Sequence, residues 1–381
     1  MRMKAAVLNG VGERLNVEEV ELDDPRAGEV RIRMVATGMC RSDIKMLTGD
    51  SQFDTYPVVL GHEGAGVVDA LGEGVTRVAL GDHVILTTLP SCGRCRWCHT
   101  GEPYMCDNLA LIGSGKLLDG TSRLHRLGEA AGTGAGLHHF FFVSTYAQYA
   151  VVPEVSVVQV PQDVPLERMC LLGCGFTTGF GAVTNSARVR PGETVMIIGC
   201  GGLGLSGIQA ARLRTASKII AVDIHPEKLA LARKFGATHT ILNTHDPDAV
   251  VGEIMDITWG LGVDHSFEFV GFTQSPETID LAFRATRKGG SCYIAGVGRP
   301  DEETLPISPW HLVHYRVRVQ GVLMGDVQFQ VDIPRYVELY RDGRIDLDNM
   351  VTEEFPLERI NDMVDNILAQ NRVARQVIRF D

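Results

Sequence analysis

Four glycines in the run Gly199-Cys200-Gly201-Gly202-Leu203-Gly204 stand between an apolar strand-like segment, ETVMIIG, and a helical one, LGLSGIQAARLR. The pattern around this turn repeats: KIIAVD then PEKLALARKFG, DHSFEFV then SPETIDLAFRAT, and finally GGSCYIAGV. Strands alternating with helices of suitable length imply a doubly wound parallel sheet with helices on both faces. In that setting the glycines let a pyrophosphate approach the N-terminus of the helix, where unpaired N–H groups point outward. Asp223 closes the next strand, 19 residues after the last glycine. A carboxylate there accepts hydrogen bonds from ribose hydroxyls and repels a 2′-phosphate, which favours NAD over NADP. His225 and Lys228 follow closely. A glycine-rich turn that holds no ligand is the bland alternative.

The first part of the chain reads differently. From Lys4 to about Val160 short apolar runs such as VRIRMVATG, GAGVVDALG and DHVILTTL are separated by Gly, Pro and Asp, a pattern of short strands and turns. The stretch from Gly113 to Gly136, rich in Gly, Ser and Ala, reads as a surface loop. After Gly321 come two amphipathic helical patterns, IPRYVELYRDG and LERINDMVDNILAQ, and a final strand-like ARQVIRF. A chain of 381 residues, 45% hydrophobic, has material for two cores. Its net charge of −11 includes no basic block able to follow a phosphate backbone, so nucleic acid is not expected as a partner. The start, MRMKAAVLNGVGERL, lacks a secretory pattern. The uncharged stretch Thr194–Ala211 is broken by five glycines and does not suit a membrane span. Nine cysteines, an odd number in a long chain, favour reduced thiols or metal ligands over disulfides, and a cytoplasmic location is expected.

Cys92, Cys95, Cys98 and Cys106 lie in PSCGRCRWCHTGEPYMC at spacings of three, three and eight. Such a loop can wrap four thiolates tetrahedrally around Zn²⁺, and a metal with four protein ligands is closed to substrate and therefore structural. Ordinary cysteines or a redox-active pair are the alternatives. A second constellation is dispersed: Cys40 in GMCRSD, His62 and Glu63 in VVLGHEGAG, Cys174 in LLGCGFTTGFG. Each alone is as well read as a small buried thiol or a satisfied histidine. Together, two thiolates and an imidazole would bind zinc and leave a position open, and the Lewis acidity of such a metal favours the alkoxide form of an alcohol. Ser42 could take the alcohol proton, or be a turn residue. Asp43 could hold the free N–H of His62, or be a helix cap or a solvated acid.

At these motifs the chain resembles the zinc-containing medium-chain dehydrogenase family, and within it the long-loop alcohol dehydrogenases. DGTSR at Asp119–Arg123, STYAQY from Ser144, GCGFTTGFGA and the closing R-x-x-I-R-F extend the likeness over nearly the whole chain. The resemblance implies a GroES-like β-barrel catalytic domain over 1–175 with a zinc lobe at about 90–107, a Rossmann domain over 176–323, a return to the catalytic domain over 324–381, and an active site in the cleft. It implies that Cys40, His62 and Cys174 hold catalytic zinc, with Glu63 behind the metal as an alternate ligand and Ser42 as proton acceptor. Arg41 and Arg375 would clamp the pyrophosphate, Thr178 and Leu203 flank the nicotinamide, and Asp223 with Lys228 hold the adenosine ribose. Two zinc ions and NAD per chain, a small alcohol or aldehyde substrate, no membrane partner and a homodimer or homotetramer complete the expectation.

Departures from the family pattern narrow the substrate. Lys45 stands where many relatives place a histidine that carries the relay to solvent. Thr88 stands where relatives often have an aromatic residue, which widens the pocket toward bulkier alcohols. Phe140, and Phe142 as a second candidate, could wall it, or be simple core. The segment CDNLALIG lacks the arginine of the glutathione-dependent formaldehyde branch. The expected reaction is reversible oxidation of a primary or secondary alcohol, apolar and bulky or aromatic. A relative that keeps its NAD permanently bound and recycles it with an external acceptor is the alternative enzyme, and a non-catalytic binding protein on the same fold is the alternative class.

Overall fold

Strand and helix alternate through the second half of the chain because each apolar run is buried on both faces of one sheet. A computed structural model describes residues 1–128, 136–270, 277–298, 304–369 and 374–380. In it six strands pair in the order His239–Leu242, Lys218–Asp223, Thr194–Ile198, Val263–Glu268, Thr286–Ile294, Arg318–Gly321, every pairing parallel. Counted from Thr194–Ile198 this is the Rossmann order 3-2-1-4-5-6, and the glycine turn leaves the sheet at the switch point, where such sheets bind ligands. Helices Gly202–Leu213, Pro226–Phe235, Pro247–Ile257 and Glu277–Ala285 connect the strands. Met196, Ile198, Ile220, Val222, Ile241 and Phe283 are among the residues of the core between them. Helix Pro247–Ile257 is absent from the sequence reading, although Asp246 caps it by accepting from the N–H groups of Asp248 and Ala249, with Pro247 at its first position. The first two residues of the SPETIDLAFRAT segment lie outside the described residues.

These strands belong to one compact unit, Gly175–Val327; Met1–Cys174 and Gln328–Asp381 form the other. The latter is built on Glu29–Gly38, which pairs antiparallel with Glu63–Leu71, Tyr149–Pro153 and Arg375–Arg379. Val30, Ile32, Met34, Val68, Val84, Leu86 and Val152 pack beneath that sheet. A second, five-stranded sheet, centred on Arg2–Leu8, buries Val7, Val20, Leu22, Val59, Leu124 and Phe142. Two local expectations change. The helix Arg41–Thr48 interrupts what reads as strands and turns, ending at Gly49 with φ 78°. The Gly113–Gly136 stretch is more than surface loop: Leu124–Arg126 pairs with Asn16–Leu22, Leu117 is buried, and Arg123 is fully buried against Glu29. Arg123 holds both Glu29 oxygens, at 2.5 and 2.9 Å, the bidentate geometry that lets an arginine be buried. Residues 129–135 of that stretch lie outside the described residues. Among the described residues no helix is long and apolar enough to cross a membrane.

Candidate active site

Strand Glu29–Gly38 ends beside the point where Cys40 caps helix Arg41–Thr48. Asp43, on the first turn, reaches back so that its Oδ2 accepts the Cys40 N–H at 3.0 Å. Its Oδ1 accepts the Gly61 N–H at 3.0 Å and lies 3.1 Å from His62 Nδ1. Of the three sequence readings of Asp43, the solvated acid fails because the residue is fully buried, and the other two are one arrangement: it completes the helix cap and fixes the histidine. With Nδ1 held by the carboxylate, Nε2 is the ring atom left for a ligand, and it is buried without a hydrogen-bond partner. Gly61 makes the approach possible. Its φ is +88°, and a Cβ there would come within 2.4 Å of the Tyr146 ring and 2.7 Å of the Tyr146 backbone nitrogen.

The ligand atoms of Cys40, His62, Glu63 and Cys174 lie within 4.8 Å of one another, all four residues buried. Contact with Cys174 holds the Cys40 thiol well below its ordinary range; burial opposes this and His62 assists it. Burial alone would lower His62, but Asp43 and Cys40 outweigh it and push the imidazole up to about 10. Asp43 and the Cys40 thiol thus favour positive charge at this cluster, which a zinc ion taking the place of the second imidazole proton would supply. Glu63 is paired with the guanidinium of Arg375, itself buried. Gly38 leaves room for the pair, since a Cβ there would meet Glu63 Oε2 at 2.3 Å. Ser42 is half-buried, with Oγ 3.9 Å from the Cys40 sulfur. Lys45 is buried on the same helix, which Arg41 begins.

Aromatic rings cover the histidine. Phe140 and Phe141 stack at 3.9 Å and stand edge-on to His62 at 5.5 and 5.3 Å, and Phe53 meets Phe141 edge-on at 5.7 Å. Phe142 goes instead into the core of the five-stranded sheet, and the second ring against His62 is Phe141. Phe141 and Phe142 have φ of 48° and 66°, and this left-handed backbone breaks the alternation that would assign faces by counting. Thr88 is buried just beyond strand His83–Leu86.

The other cluster, Cys92, Cys95, Cys98 and Cys106, also brings four sulfurs within 4.8 Å. Cys95 and Cys106 sulfurs are 3.9 Å apart; tetrahedral Zn–S bonds of about 2.3 Å place sulfurs about 3.8 Å apart. Backbone N–H groups steer the loop: those of Arg94 and Cys95 point at Cys92 Sγ, and that of Cys92 at Cys106 Sγ. The Cys98 backbone amide leads in holding the Cys95 thiol down, to about 6, while burial pushes Cys98 up to about 12. Four thiols this close favour the thiolate form together only with a cation among them, which a zinc ion would supply.

In the other unit the glycine turn has its expected division of labour. Gly199 takes φ +90°, a Cβ on Gly204 would fall 1.9 Å from the Gly199 carbonyl oxygen, and Gly201 faces open space. Asp223 Oδ2 accepts the Cys200 N–H at 2.7 Å and Oδ1 that of His225 at 2.9 Å, which ties the acid to the turn. Lys228 and Leu203 are half-buried on helices Pro226–Phe235 and Gly202–Leu213. Thr178 is buried on helix Gly175–Gly181, 3.8 Å from the Met324 sulfur. The sequence reading had not singled out Phe53, Phe141 or Tyr146 for the site, nor joined Arg375 to Glu63.

Residues 26–162 match the alcohol dehydrogenase GroES-like domain and residues 202–341 the zinc-binding dehydrogenase family. The chain is 39% identical, over the full length of both proteins, to an S-(hydroxymethyl)glutathione dehydrogenase of Synechocystis sp.. Among solved structures it is similar to an alcohol dehydrogenase zinc-binding domain protein from Burkholderia ambifaria, at 35% identity and TM-score 0.91, covering 100% of this chain and 99% of that one. It is equally similar in fold to benzyl alcohol dehydrogenase from Acinetobacter calcoaceticus, at 32% identity and TM-score 0.91 with both chains fully covered.

Proposed function

The chain belongs to the zinc-containing medium-chain alcohol dehydrogenase family, and from that premise we propose that it oxidises a bulky or aromatic alcohol reversibly to the aldehyde or ketone, with NAD as acceptor. The observation that carries the choice of substrate is the aromatic wall of Phe140, Phe141 and Phe53 against His62. Flat rings at that position favour a substrate that is itself flat and apolar.

Cys40, His62 and Cys174 hold the catalytic zinc, and the four lobe cysteines the structural one. Zinc held there would supply Lewis acidity toward the alcohol oxygen, and bound NAD would supply the hydride acceptor. The protein's own groups do the rest. Asp43 keeps the proton on His62 Nδ1, so that Nε2 stays a ligand. Ser42 Oγ, beside the cluster, receives the hydroxyl proton of the alcohol and hands it outward. Lys45, buried three residues further along the same helix, takes the outer relay position. The phenylalanines exclude water and orient the substrate. For the cofactor, the glycine turn is assigned the pyrophosphate together with Arg41 and Arg375, Asp223 and Lys228 the adenosine ribose, and Thr178 and Leu203 the nicotinamide. The open side of Gly201 and the anchored Asp223 support this.

The relatives named S-(hydroxymethyl)glutathione dehydrogenase give a second reading its weight. A glutathione adduct brings two carboxylates that need cations, and Asp107–Leu111, just past the fourth lobe cysteine, has none. Steady-state rates of NADH formation with benzylic, branched, short aliphatic and glutathione-adduct substrates separate the readings. Benzylic alcohols are expected to have the highest kcat/KM; preference for the glutathione adduct overturns the assignment. Cofactor that survives gel filtration, with no turnover of added NAD, would replace free NAD by a permanently bound one.

A further inference from the structure

Tyr146 is fully buried in STYAQY, and its hydroxyl is left without a partner at hydrogen-bonding geometry. A buried phenol in that condition is destabilising unless something nearby accepts from it. Its surroundings say what it faces. The ring lies against Gly61, its backbone N–H donates to the Leu60 carbonyl at 3.0 Å, and its own carbonyl accepts from Ala6 at 2.8 Å. Both sides of the residue are thereby pinned to the segment that delivers His62. Gly61, on which the ring lies, donates its N–H to Asp43 Oδ1 at 3.0 Å, so the phenol and the carboxylate meet at one backbone residue; the phenol is held above its ordinary range by burial and by that carboxylate.

Asp43 has capacity for one more donor. An ionised carboxylate offers about four lone-pair positions, and three are taken, by the Cys40 N–H, the Gly61 N–H and His62 Nδ1. We propose that Tyr146 is a positioning residue for the catalytic metal: its hydroxyl donates the fourth hydrogen bond to Asp43 and so fixes how Asp43 holds His62. The inference rests on Cys40, His62 and Cys174 being the catalytic ligands. A residue two steps removed from the metal acts on the orientation and basicity of the imidazole, so its loss should cost less than the roughly 10–100-fold that removing a direct partner of a ligand costs.

The test uses the zinc-loaded full chain and its cobalt(II)-substituted form. Tyr146→Phe removes one oxygen and keeps the ring that packs on Gly61; Tyr149→Phe, which loses a hydroxyl elsewhere in the same segment, is the control. Zinc release to a chelator should have two phases, one per site. Tyr146→Phe is expected to accelerate the catalytic-site phase about fivefold, leave the structural-site phase unchanged, and shift the cobalt(II) absorption bands. Tyr149→Phe should change neither. A cobalt spectrum that superimposes on wild type, with release within twofold, overturns the proposal. Equal acceleration of both phases with a fall in Tm also overturns it, because that marks a packing role. Binding of a single zinc by the wild-type chain would instead refute the underlying ligand assignment.

Discussion

Asp43→Asn isolates the group on which the site turns. The substitution keeps the shape of the side chain and replaces one oxygen by NH₂, and there is no orientation in which all three neighbours are served. With the amide nitrogen in the place of Oδ1 it faces two N–H donors, those of Gly61 and His62 Nδ1; in the place of Oδ2 it faces the Cys40 N–H and the Tyr146 hydroxyl, which can turn to accept. The second orientation prevails and strands one buried N–H, at about 1–3 kcal/mol. The two remaining bonds lose their charge assistance, about 1 kcal/mol each. The total of about 3–5 kcal/mol divides between fold stability and metal binding. Loss of the carboxylate partner of a ligating histidine costs roughly 10–100-fold in affinity, or about 1.4–2.7 kcal/mol. Zinc content after gel filtration, zinc competition with a chromophoric chelator, kcat and Tm measure the division. The expected result is a weakened catalytic zinc, an intact structural one and a lowered kcat. Two zincs held at wild-type affinity with wild-type kcat would refute the argument that Asp43 orients His62.

Three further outcomes follow from the geometry. Cys98→Ser should release the structural zinc and lower Tm while one zinc per chain and its spectrum in the cobalt form remain, as zinc analysis of the purified variant would read; loss of both metals would contradict the independence of the two clusters. Phe141→Ala should lower kcat/KM for benzyl alcohol about tenfold, the equivalent of about 1.4 kcal/mol, and leave ethanol within about twofold; equal losses for both would remove Phe141 from the substrate wall. Burial, helped by the charge of Arg123, holds His139 down to about 3, so below the ordinary value of 6.5 the unfolded chain takes up a proton that the folded one refuses, and stability falls as pH falls from about 6.5 toward 3. Between pH 7 and 5 that amounts to about 2 kcal/mol, which His139→Gln should abolish while still accepting from the Arg123 N–H in the place of the imidazole; parallel acid dependence of wild type and variant in denaturant titrations would refute it.

What was legible in the sequence is what is closed locally. The glycine turn needs only its own backbone and the strand beside it, and the four lobe cysteines span a single loop, so local pattern and spacing carried the parallel-sheet class and the structural zinc cluster. Helix Pro247–Ile257 was legible and passed over: Asp246 followed by Pro247 is a start signal as strong as any in the chain. Elsewhere the information is long-range. Three consecutive phenylalanines offer no periodicity, and only the left-handed backbone at Phe141 and Phe142 decides that one ring meets His62 while the next enters a sheet core. Arg123 sits in a stretch whose Gly and Ser content reads as loop, yet Glu29 makes it a buried anchor. The sharpest case is Asp43. Sequence reasoning held helix cap and histidine partner as rival roles, because each uses one carboxylate. A carboxylate has two oxygens, and here one serves the Cys40 N–H while the other serves Gly61 and His62. The rivalry was an artefact of treating the side chain as a single acceptor. It also explains why the helix and the metal site are inseparable here: whatever disturbs the cap of Arg41–Thr48 moves the histidine with it.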